Sequence, residues 1–318
     1  MARRISLSIY LTTMMTTLLI VVTASVLIGH YRSDTGALVG FYGSKNAMGM
    51  AAAFLALLAM GNINLRHWRR RQTLVALLGL VTALAAVVLA QSVSALIALA
   101  VGFGVLGAVQ ILRPLPPIVR ITSAIVMTVL TTLFVLLAVA NLDALVDLIL
   151  DLTGKDLTLT GRTELWAIAS ELIAQRPLLG IGYQAFWVPG NPIAEAIWRQ
   201  FGIENQSGFS FHNTYLSNAV EIGIIGVAIQ SLMIGSAVFM TARHALANRD
   251  RASATLLSLV AMIVSMTPID THIYFQLSLA SSIMVSAIVL TTTRQTKVQR
   301  PPRARSVARF VRAASNSA

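Results

Sequence analysis

Residues 73–90 read TLVALLGLVTALAAVVLA, and residues 93–112 read VSALIALAVGFGVLGAVQIL. Neither stretch contains a charged side chain, and only Gln91 and Ser92 separate them. A helix needs about 20 predominantly apolar residues to cross the hydrocarbon core of a bilayer, because each residue adds about 1.5 Å. The pair therefore predicts two neighbouring membrane-spanning helices, and it sets the fold class of the chain.

The composition of the whole chain agrees with that prediction. Of 318 residues, 56% are hydrophobic and only 11% are charged, whereas a soluble domain carries about 25% charged residues. The chain has no Cys, which excludes disulfides and thiolate metal sites. The net charge of +12 would suit nucleic acid, but its distribution along the chain indicates a membrane topology instead.

Hydropathy along the chain predicts an all-α polytopic membrane protein with eight spans. The predicted spans are 5–28, 46–64, 73–90, 93–112, 119–141, 215–240, 254–268 and 274–292. They divide the chain into transmembrane helices 1–5 (1–141), a large loop (142–214), transmembrane helices 6–8 (215–292) and a basic tail with the composition of a disordered segment (293–318).

The distribution of charge predicts the orientation. All but six of the 24 basic residues fall on the side of the two termini, and the six others are Arg32, Lys45, Lys155, Arg162, Arg176 and Arg199. Asp250 is the only acid on the side of the termini. Because Lys and Arg are retained in the cytoplasm, both termini are predicted to be cytoplasmic, and loop 142–214 is predicted to be periplasmic.

The large loop is predicted to contain two amphipathic helices. The first lies within 141–159, where Asp and Leu recur. The second begins near Gly161 and ends at Pro177, and its position at the membrane interface follows from its amphipathic pattern. Its apolar stripe comprises Leu165, Ile168, Ala169, Leu172 and Ile173. Trp166 and Trp187 are predicted to belong to the interfacial aromatic belt.

Six short segments, in their order and spacing, resemble the O-antigen ligase and Wzy-type polysaccharide polymerase superfamily. They are Gly40–Asn46, Gln91–Ser94, Gly161–Trp166, Pro177–Gly182, His212–Leu216 and Glu221–Gly226. The resemblance extends from about residue 36 to residue 240 and implies a GT-C-like glycosyltransferase architecture. Members of that family have more than eight spans, so the resemblance also implies that some N-terminal helices are absent here.

The resemblance implies a function at the periplasmic face of the bacterial inner membrane. The donor would be an oligosaccharide linked to undecaprenyl diphosphate, and no metal, nucleotide sugar or other cofactor would be needed. A polymerase would transfer the glycan to an acceptor glycan on another carrier, and a ligase would transfer it to lipid A–core. Polymerisation of exopolysaccharide or O-antigen repeat units is slightly favoured. Membrane lipids and a chain-length regulator are further implied partners, and nucleic acid is not.

Two residues are predicted to be catalytic. His212 suits a general base that takes the proton of the acceptor hydroxyl, because the ordinary pKa of histidine lies near working pH. Arg162 suits the diphosphate leaving group, because a guanidinium binds phosphate oxygens in pairs. The resemblance supports both roles.

Five further residues are predicted to bind substrate: Arg32, Lys45, Asn46, Asn213 and Glu221. Glu221 is an ionisable residue within a predicted span, which is by default a functional site. Its alternative role is a structural ion pair with Lys45 or Arg32. Asp270 and His272, in the last outer loop, are predicted to be solvated.

Two other classes of function stay open at this point. A transporter or flippase would show internal repeats and ionisable residues at mid-span, and neither is evident in the sequence. A non-catalytic assembly subunit is the third reading. Inactivity of the intact, folded protein would distinguish it from a transferase.

Overall fold

The structure is a computed structural model that describes residues 6–33, 35–64, 70–140, 160–204, 206, 209–248, 250–271 and 278–292. Ten α-helices lie in these residues. They are α1 (Leu7–Ile28), α2 (Lys45–Asn62), α3 (Arg71–Ala90), α4 (Val93–Leu112), α5 (Pro117–Ala140), α6 (Thr160–Gln175), α7 (Pro192–Gln200), α8 (Thr214–Ala247), α9 (Arg251–Met266) and α10 (Leu279–Thr292). A short 3-10 helix (Gly40–Tyr42) precedes α2.

A helix lies at each of the eight predicted spans, so the all-helical, multi-pass prediction is confirmed. Four helices of the described chain, α1, α3, α4 and α8, are long and apolar enough to cross a membrane. Helices α9 and α10 are apolar but shorter, and the total of eight spans stays a prediction. The predicted helix within 141–159 and the basic tail lie outside the described residues.

Helix α2 forms the centre of the bundle. Its twelve consecutive residues from Met48 to Ala59 are all buried, and α1, α3, α4 and α9 pack around it. A helix that is apolar on every side is expected in such a position. Small residues allow the close approach, because a Cβ at Gly49 would lie 2.8 Å from the Cβ of Ser92.

Helix α8 is broken, which differs from the single continuous span predicted at 215–240. Gly223 has φ 66° and ψ −177°, which is not a helical conformation. The segment after α6 enters the break. The N–H groups of Ile181 and Gly182 donate to the carbonyls of Val220 and Glu221 at 3.0 and 2.8 Å. These bonds satisfy carbonyls that the interrupted helix leaves without a helical partner.

The backbone N–H groups on the other side of the break also have hydrogen-bond partners in the segment after α6. The Ile224 N–H donates to the Pro177 carbonyl at 2.8 Å, and the Ile225 N–H donates to the Leu178 carbonyl at 3.3 Å. Glycine is required at Gly223, because a Cβ there would overlap the Leu178 carbonyl. The hydropathy pattern could not reveal this break, since the residues that complete it are distant in sequence.

The large loop has a buried core of its own. Helix α6 ends before Pro177 as predicted, and its apolar stripe packs against aromatic side chains rather than only against a membrane surface. Trp198, Phe186 and Phe211 are the largest buried members of this cluster. Trp166 and Trp187 are partly buried and pack on this cluster. Their place in an interfacial aromatic belt stays a prediction.

Candidate functional site

The helices of the bundle place two groups of polar residues at opposite ends. Helix α2 begins at Lys45 and ends at Asn62, so its ends lie about 27 Å apart at 1.5 Å per residue. The Asn46 Oδ1 accepts a hydrogen bond from Ser92 Oγ at 3.0 Å. Ser92 caps the start of α4. Two predicted site residues, Lys45 and Asn46, therefore lie where the amino-terminal ends of α2 and α4 meet.

His212 is at the same end of the bundle. Only the cap residue Asn213 separates it from α8, and the backbone N–H of Thr214 donates to the carbonyl of Thr267, which caps α9, at 2.8 Å. Helix α9 packs against both α2 and α4 and runs from Arg251, at the Asn62 end, to Thr267. The connection through Thr267 therefore brings His212 to the Lys45 end.

The backbone of His212 is in the left-handed region, with φ 49°. A non-glycine residue rarely has this conformation, although histidine is among those found there more often. Such backbone strain persists only where the surroundings impose it, and it concentrates at functional sites. Here the His212 N–H donates to Ser210 Oγ at 3.2 Å, and the ring meets Phe209 edge to face at 5.7 Å.

The ring of His212 faces a carboxylate. Its Nδ1 lies 3.5 Å from Asp270 Oδ1, and the two side chains are 28% and 13% exposed. This separation suits an ion pair and exceeds a normal hydrogen bond. Because Nδ1 is the buried ring nitrogen, Nε2 is the nitrogen left for a substrate.

The prediction that Asp270 is solvated is therefore wrong. The loop that carries it folds back onto the start of α8, where Thr214 Oγ1 donates to the Asp270 carbonyl at 2.7 Å. The Asp270 carboxylate also accepts from the Thr271 N–H at 2.8 Å. Sequence analysis missed Asp270 because its partner is 58 residues away, and the only available signal was an acid at the outer end of a span. His272 lies outside the described residues.

Asn213 has a structural position as the cap of α8. Its Oδ1 accepts from the N–H groups of Tyr215 and Leu216 at 2.9 and 3.1 Å, and its Nδ2 donates to the Pro268 carbonyl at 3.1 Å. These bonds occupy the amide that was predicted to bind substrate. Asn213 therefore stabilises the junction between α8 and the segment that carries His212.

Arg32 and Lys45 lie at the same end as His212. Arg32 is in the turn after α1, where its N–H donates to the Ala37 carbonyl at 2.9 Å and its side chain is exposed. Lys45 is the first residue of α2 and is partly buried. A cation is disfavoured at a helix N-terminus unless an anion is near. The position of Lys45 thus suits an anionic ligand.

Arg162 is in the first turn of α6 and is partly buried. Within the described chain its guanidinium has no hydrogen-bond or ion-pair partner, so it is available to a ligand. One turn later, Trp166 Nε1 donates to the Phe211 carbonyl at 2.8 Å. Since Phe211 precedes His212 directly, this bond ties the helix of Arg162 to the segment that holds His212.

Glu221 is buried at the helix break, and its role in substrate binding stays a prediction. Its Oε2 accepts from the Gln184 N–H at 2.5 Å, and the Phe186 N–H is a second backbone donor. Within the described residues it forms no ion pair with Lys45 or Arg32, while Oε1 is buried without a hydrogen bond. Glu221 fastens the loop after α6 to the break in α8. The glycine of Glu221-Ile222-Gly223 was the only sequence signal for this arrangement.

Comparison with known proteins finds a family model and a relative that match much of the chain. Residues 78–230 match the family model described as O-antigen ligase (Wzy_C), and this range includes α6, the loop after it, His212 and Glu221. The chain is also similar to the exopolysaccharide production protein ExoQ of Rhizobium meliloti (strain 1021), with 34% identity over 256 residues. That alignment covers 77% of this chain and 57% of ExoQ, so the chain spans little more than half the length of that relative.

Proposed function

The chain belongs to the O-antigen ligase and Wzy-type polymerase superfamily, and from this membership we propose that it is a glycosyltransferase that acts on carrier-linked glycans. The donor in this proposal is an oligosaccharide on undecaprenyl diphosphate, used at the periplasmic face of the bacterial inner membrane. The fold would be a GT-C-like arrangement of eight spans with both termini in the cytoplasm. The observation that carries the proposal is the His212–Asp270 pair at the Lys45 end of the bundle.

The proposed reaction exchanges one glycosidic bond for another. The acceptor hydroxyl oxygen bonds to the anomeric carbon of the donor sugar, and the bond from that carbon to the diphosphate oxygen breaks. His212 Nε2 takes the hydroxyl proton, and undecaprenyl diphosphate departs with its negative charge. Such a transfer needs a base at the acceptor and cations at the leaving group.

Asp270 supports the role of His212 as a base. A carboxylate beside Nδ1 favours the tautomer that carries its proton on Nδ1, which leaves Nε2 as the acceptor of a proton. It also stabilises the imidazolium that forms during transfer. The 3.5 Å separation can shorten when the ring becomes charged, because apo geometry at catalytic groups is often longer than that of the working complex.

The leaving group would be held by Arg162 and Lys45. Arg162 offers a guanidinium without a protein partner in the described chain, and Lys45 offers an ammonium at the start of α2. Exposed Leu178 and Leu179, 62% and 72% accessible, lie in the loop that enters the break of α8. Their position suits the apolar chain of the carrier or the surrounding lipid.

Polymerisation of exopolysaccharide units is the favoured reaction, because ExoQ is named for exopolysaccharide production. Ligation to lipid A–core is the second candidate, because the matched family model is described as O-antigen ligase. The two differ in acceptor and not in the proposed chemistry at the anomeric carbon. A single assay with two acceptors therefore separates them.

The test uses the purified chain in lipid with an undecaprenyl diphosphate-linked oligosaccharide, with and without lipid A–core. A ladder of products without added core would support a polymerase, and product on core alone would support a ligase. The His212→Ala variant should lose about 100-fold or more of the rate. His244→Ala is its matched control, because His244 is a partly buried histidine near the other end of α8.

Three further arms sharpen the assay. Arg162→Ala should reduce the rate more than Arg176→Ala, a matched arginine in the same loop. A chelator should leave the rate unchanged, because the proposed mechanism has no metal. Full activity in His212→Ala would show that His212 is not the base. Inactivity of the folded protein with every donor would favour a transporter or an assembly subunit.

The proposed orientation has a separate test. Since the chain has no Cys, one cysteine can be introduced at Ser170, which is exposed on α6 in the large loop. A membrane-impermeant thiol reagent added to intact cells with a permeable outer membrane should label this position. Labelling only after the inner membrane is broken would indicate the opposite orientation.

A further inference from the structure

We propose that the end of the bundle opposite His212 carries a binding site for the phosphate headgroup of an anionic phospholipid. A cavity of about 190 Å³ lies there between α1, α2, α3 and α9. It can hold a phosphate group, since one water molecule occupies about 30 Å³. This site is not the proposed transfer site, which is at the other end of α2.

The cavity wall is polar and contains two arginines. Its lining includes Ser8, Asn62, Asn64, Arg70, Gln72 and Arg251. Among the described residues that line it, none is acidic. Guanidinium and amide N–H groups in a cavity without carboxylates are the donor set that binds phosphate oxygens.

Each of the two arginines lies at the N-terminal end of a helix, where a positively charged side chain destabilises that helix. Arg70 is the residue before the first turn of α3, and Arg251 is the first residue of α9. The N-terminal end of a helix carries partial positive charge and free N–H groups, so it favours an anion and disfavours a cation. An anion bound beside α3 would offset the unfavourable placement of Arg70, whereas the N-terminal end of α9 already has the Asp250 carboxylate as its cap.

The two arginines differ in what they already contact. The Arg251 Nη1 donates to the Ile63 carbonyl, which fixes its guanidinium at the cavity wall. The Arg70 side chain has no partner within the described chain and is exposed. The neighbouring acid, Asp250, directs its carboxylate to Ser253, whose N–H and Oγ donate to it at 2.8 and 2.7 Å. Arg70 is therefore the charge most available to a ligand.

A set of hydrogen bonds holds the amide wall of the cavity in place. The Asn62 Oδ1 accepts from Thr12 Oγ1 at 2.9 Å and from Gln72 Nε2 at 3.3 Å. The Asn62 Nδ2 donates to the Leu58 carbonyl at 2.8 Å. These bonds join α1, α2 and α3 around the cavity before any ligand arrives. A site formed in advance binds with a smaller loss of conformational entropy.

The surface next to the cavity favours a phospholipid, rather than a soluble phosphate, as the ligand. Ile9 on α1 is 61% exposed, and Leu74 and Leu78 on α3 are 49% and 59% exposed. Ile9 is adjacent in sequence to Ser8, and Leu74 to Thr73, and both of these neighbours line the cavity. Acyl chains of a lipid whose headgroup occupies the cavity could cover this apolar surface. The predicted cytoplasmic leaflet also supplies anionic lipids.

The test is a titration of the purified chain, held in phosphatidylcholine nanodiscs, with phosphatidylglycerol, read out as bound lipid by native mass spectrometry. Wild-type protein should bind phosphatidylglycerol in preference to added phosphatidylcholine. Arg70→Gln should weaken that binding about five-fold, as expected for one cation at a lipid headgroup. Arg243→Gln is the matched control, because Arg243 is an exposed arginine on the same predicted side and does not line the cavity.

Three results would overturn the proposal. Equal loss in Arg70→Gln and Arg243→Gln would indicate general attraction to the basic face. Equal binding of glycerol 3-phosphate, which has no acyl chains, would indicate a soluble phosphate ligand. Absence of any preference for phosphatidylglycerol would remove the site. Because the readout is bound lipid, it is independent of whether the chain proves to be a transferase.

If Arg70→Gln lowers the yield of folded protein, Asn64→Ala provides a second variant. Asn64 lines the cavity and forms no side-chain hydrogen bond within the described chain. Its removal should weaken phosphatidylglycerol binding in the same direction as Arg70→Gln, by a smaller factor, because a neutral donor contributes less than a charged one. Unchanged binding in both variants would place the lipid elsewhere.

Discussion

The bundle and the large loop have buried cores of different composition. Around α2 the core consists mainly of alanine, leucine and methionine, whereas the largest buried side chains of the loop core are Trp198, Phe186 and Phe211. Helices satisfy their own backbone hydrogen bonds, so small side chains suffice to pack them closely. An irregular loop lacks that regularity, and large aromatic side chains supply more buried area per residue.

This difference suggests a division of roles. The bundle fixes Lys45 and Asn46 on rigid helix ends, while the aromatic core carries Arg162 and the segment before His212. The two parts join through the broken helix α8 and the pair His212–Asp270. Changes in the loop core should therefore affect the site while the bundle stays folded.

The largest expected effect is that of Trp198→Ala. Truncation of a buried aromatic residue costs about 3–5 kcal/mol, and Trp198 is 2% exposed. The loop should become sensitive to protease and activity should be lost, while helical content by circular dichroism stays close to that of wild type. Leu57→Ala, in the bundle, is the comparison and should lower the melting temperature of the whole protein. Loss of bundle helicity in Trp198→Ala would show that the two cores are not separable.

Gly223→Ala should have the next largest effect. A Cβ at this position would overlap the Leu178 carbonyl, and the left-handed φ of 66° is costly for alanine. Strain of this kind costs about 1–3 kcal/mol, and relief would require the loop after α6 to leave the break. The melting temperature and the transfer rate should both fall. Gly235→Ala, in the same helix with open space around it, should change neither.

Asn213→Ala should have a smaller effect through loss of the α8 cap. Removing an N-cap side chain costs about 1 kcal/mol. Asn213→Asp should retain most of the thermal stability, because aspartate caps helices equally well. If Asn213→Asp is stable yet inactive, the amide contacts substrate as well. If both variants keep full stability, the capping bonds at 2.9 and 3.1 Å are not important in solution.

Trp166→Phe should have the smallest effect. It removes the 2.8 Å hydrogen bond from Nε1 to the Phe211 carbonyl and keeps most of the aromatic surface. One neutral hydrogen bond contributes about 1 kcal/mol, so a small fall in melting temperature is expected. The rate should fall with unchanged donor affinity, because the bond positions the segment of His212. A rate equal to that of wild type would show that the hydrogen bond between α6 and the segment of His212 does not affect the reaction.

The sequence predicted the helices well because membrane spans follow from local hydropathy. The starts of α3 and α4 were predicted within two residues, and α6 was predicted to end before Pro177. Capping residues are also local signals, since Ser44, Ser92 and Asn213 each accept from the first turn of the following helix. His212 and Arg162 were selected by resemblance of short motifs, and their catalytic roles stay predictions.

Contacts between distant segments were not predictable in this way. Asp270 was expected in solvent, and it faces His212 across 58 residues of sequence. Glu221 was predicted to bind substrate or to pair with Lys45 or Arg32, and in the structure it accepts backbone N–H groups from 184 and 186. Trp166 and Trp187 were predicted to lie at a membrane interface, which stays a prediction, and the structure adds that they pack on the buried cluster of the loop. These contacts involve polar or aromatic groups whose partners are set by folding.

The sequence by itself determined that this chain is a multi-pass helical membrane protein, and it predicted one large loop and an orientation with both termini in the cytoplasm. Those properties depend on sums over neighbouring residues, namely hydropathy and the count of basic side chains. Only the tertiary structure decided which loop fills the break in α8, which carboxylate faces His212, and which amides line the cavity at the other end. Such pairings depend on three-dimensional proximity, which a one-dimensional pattern does not contain.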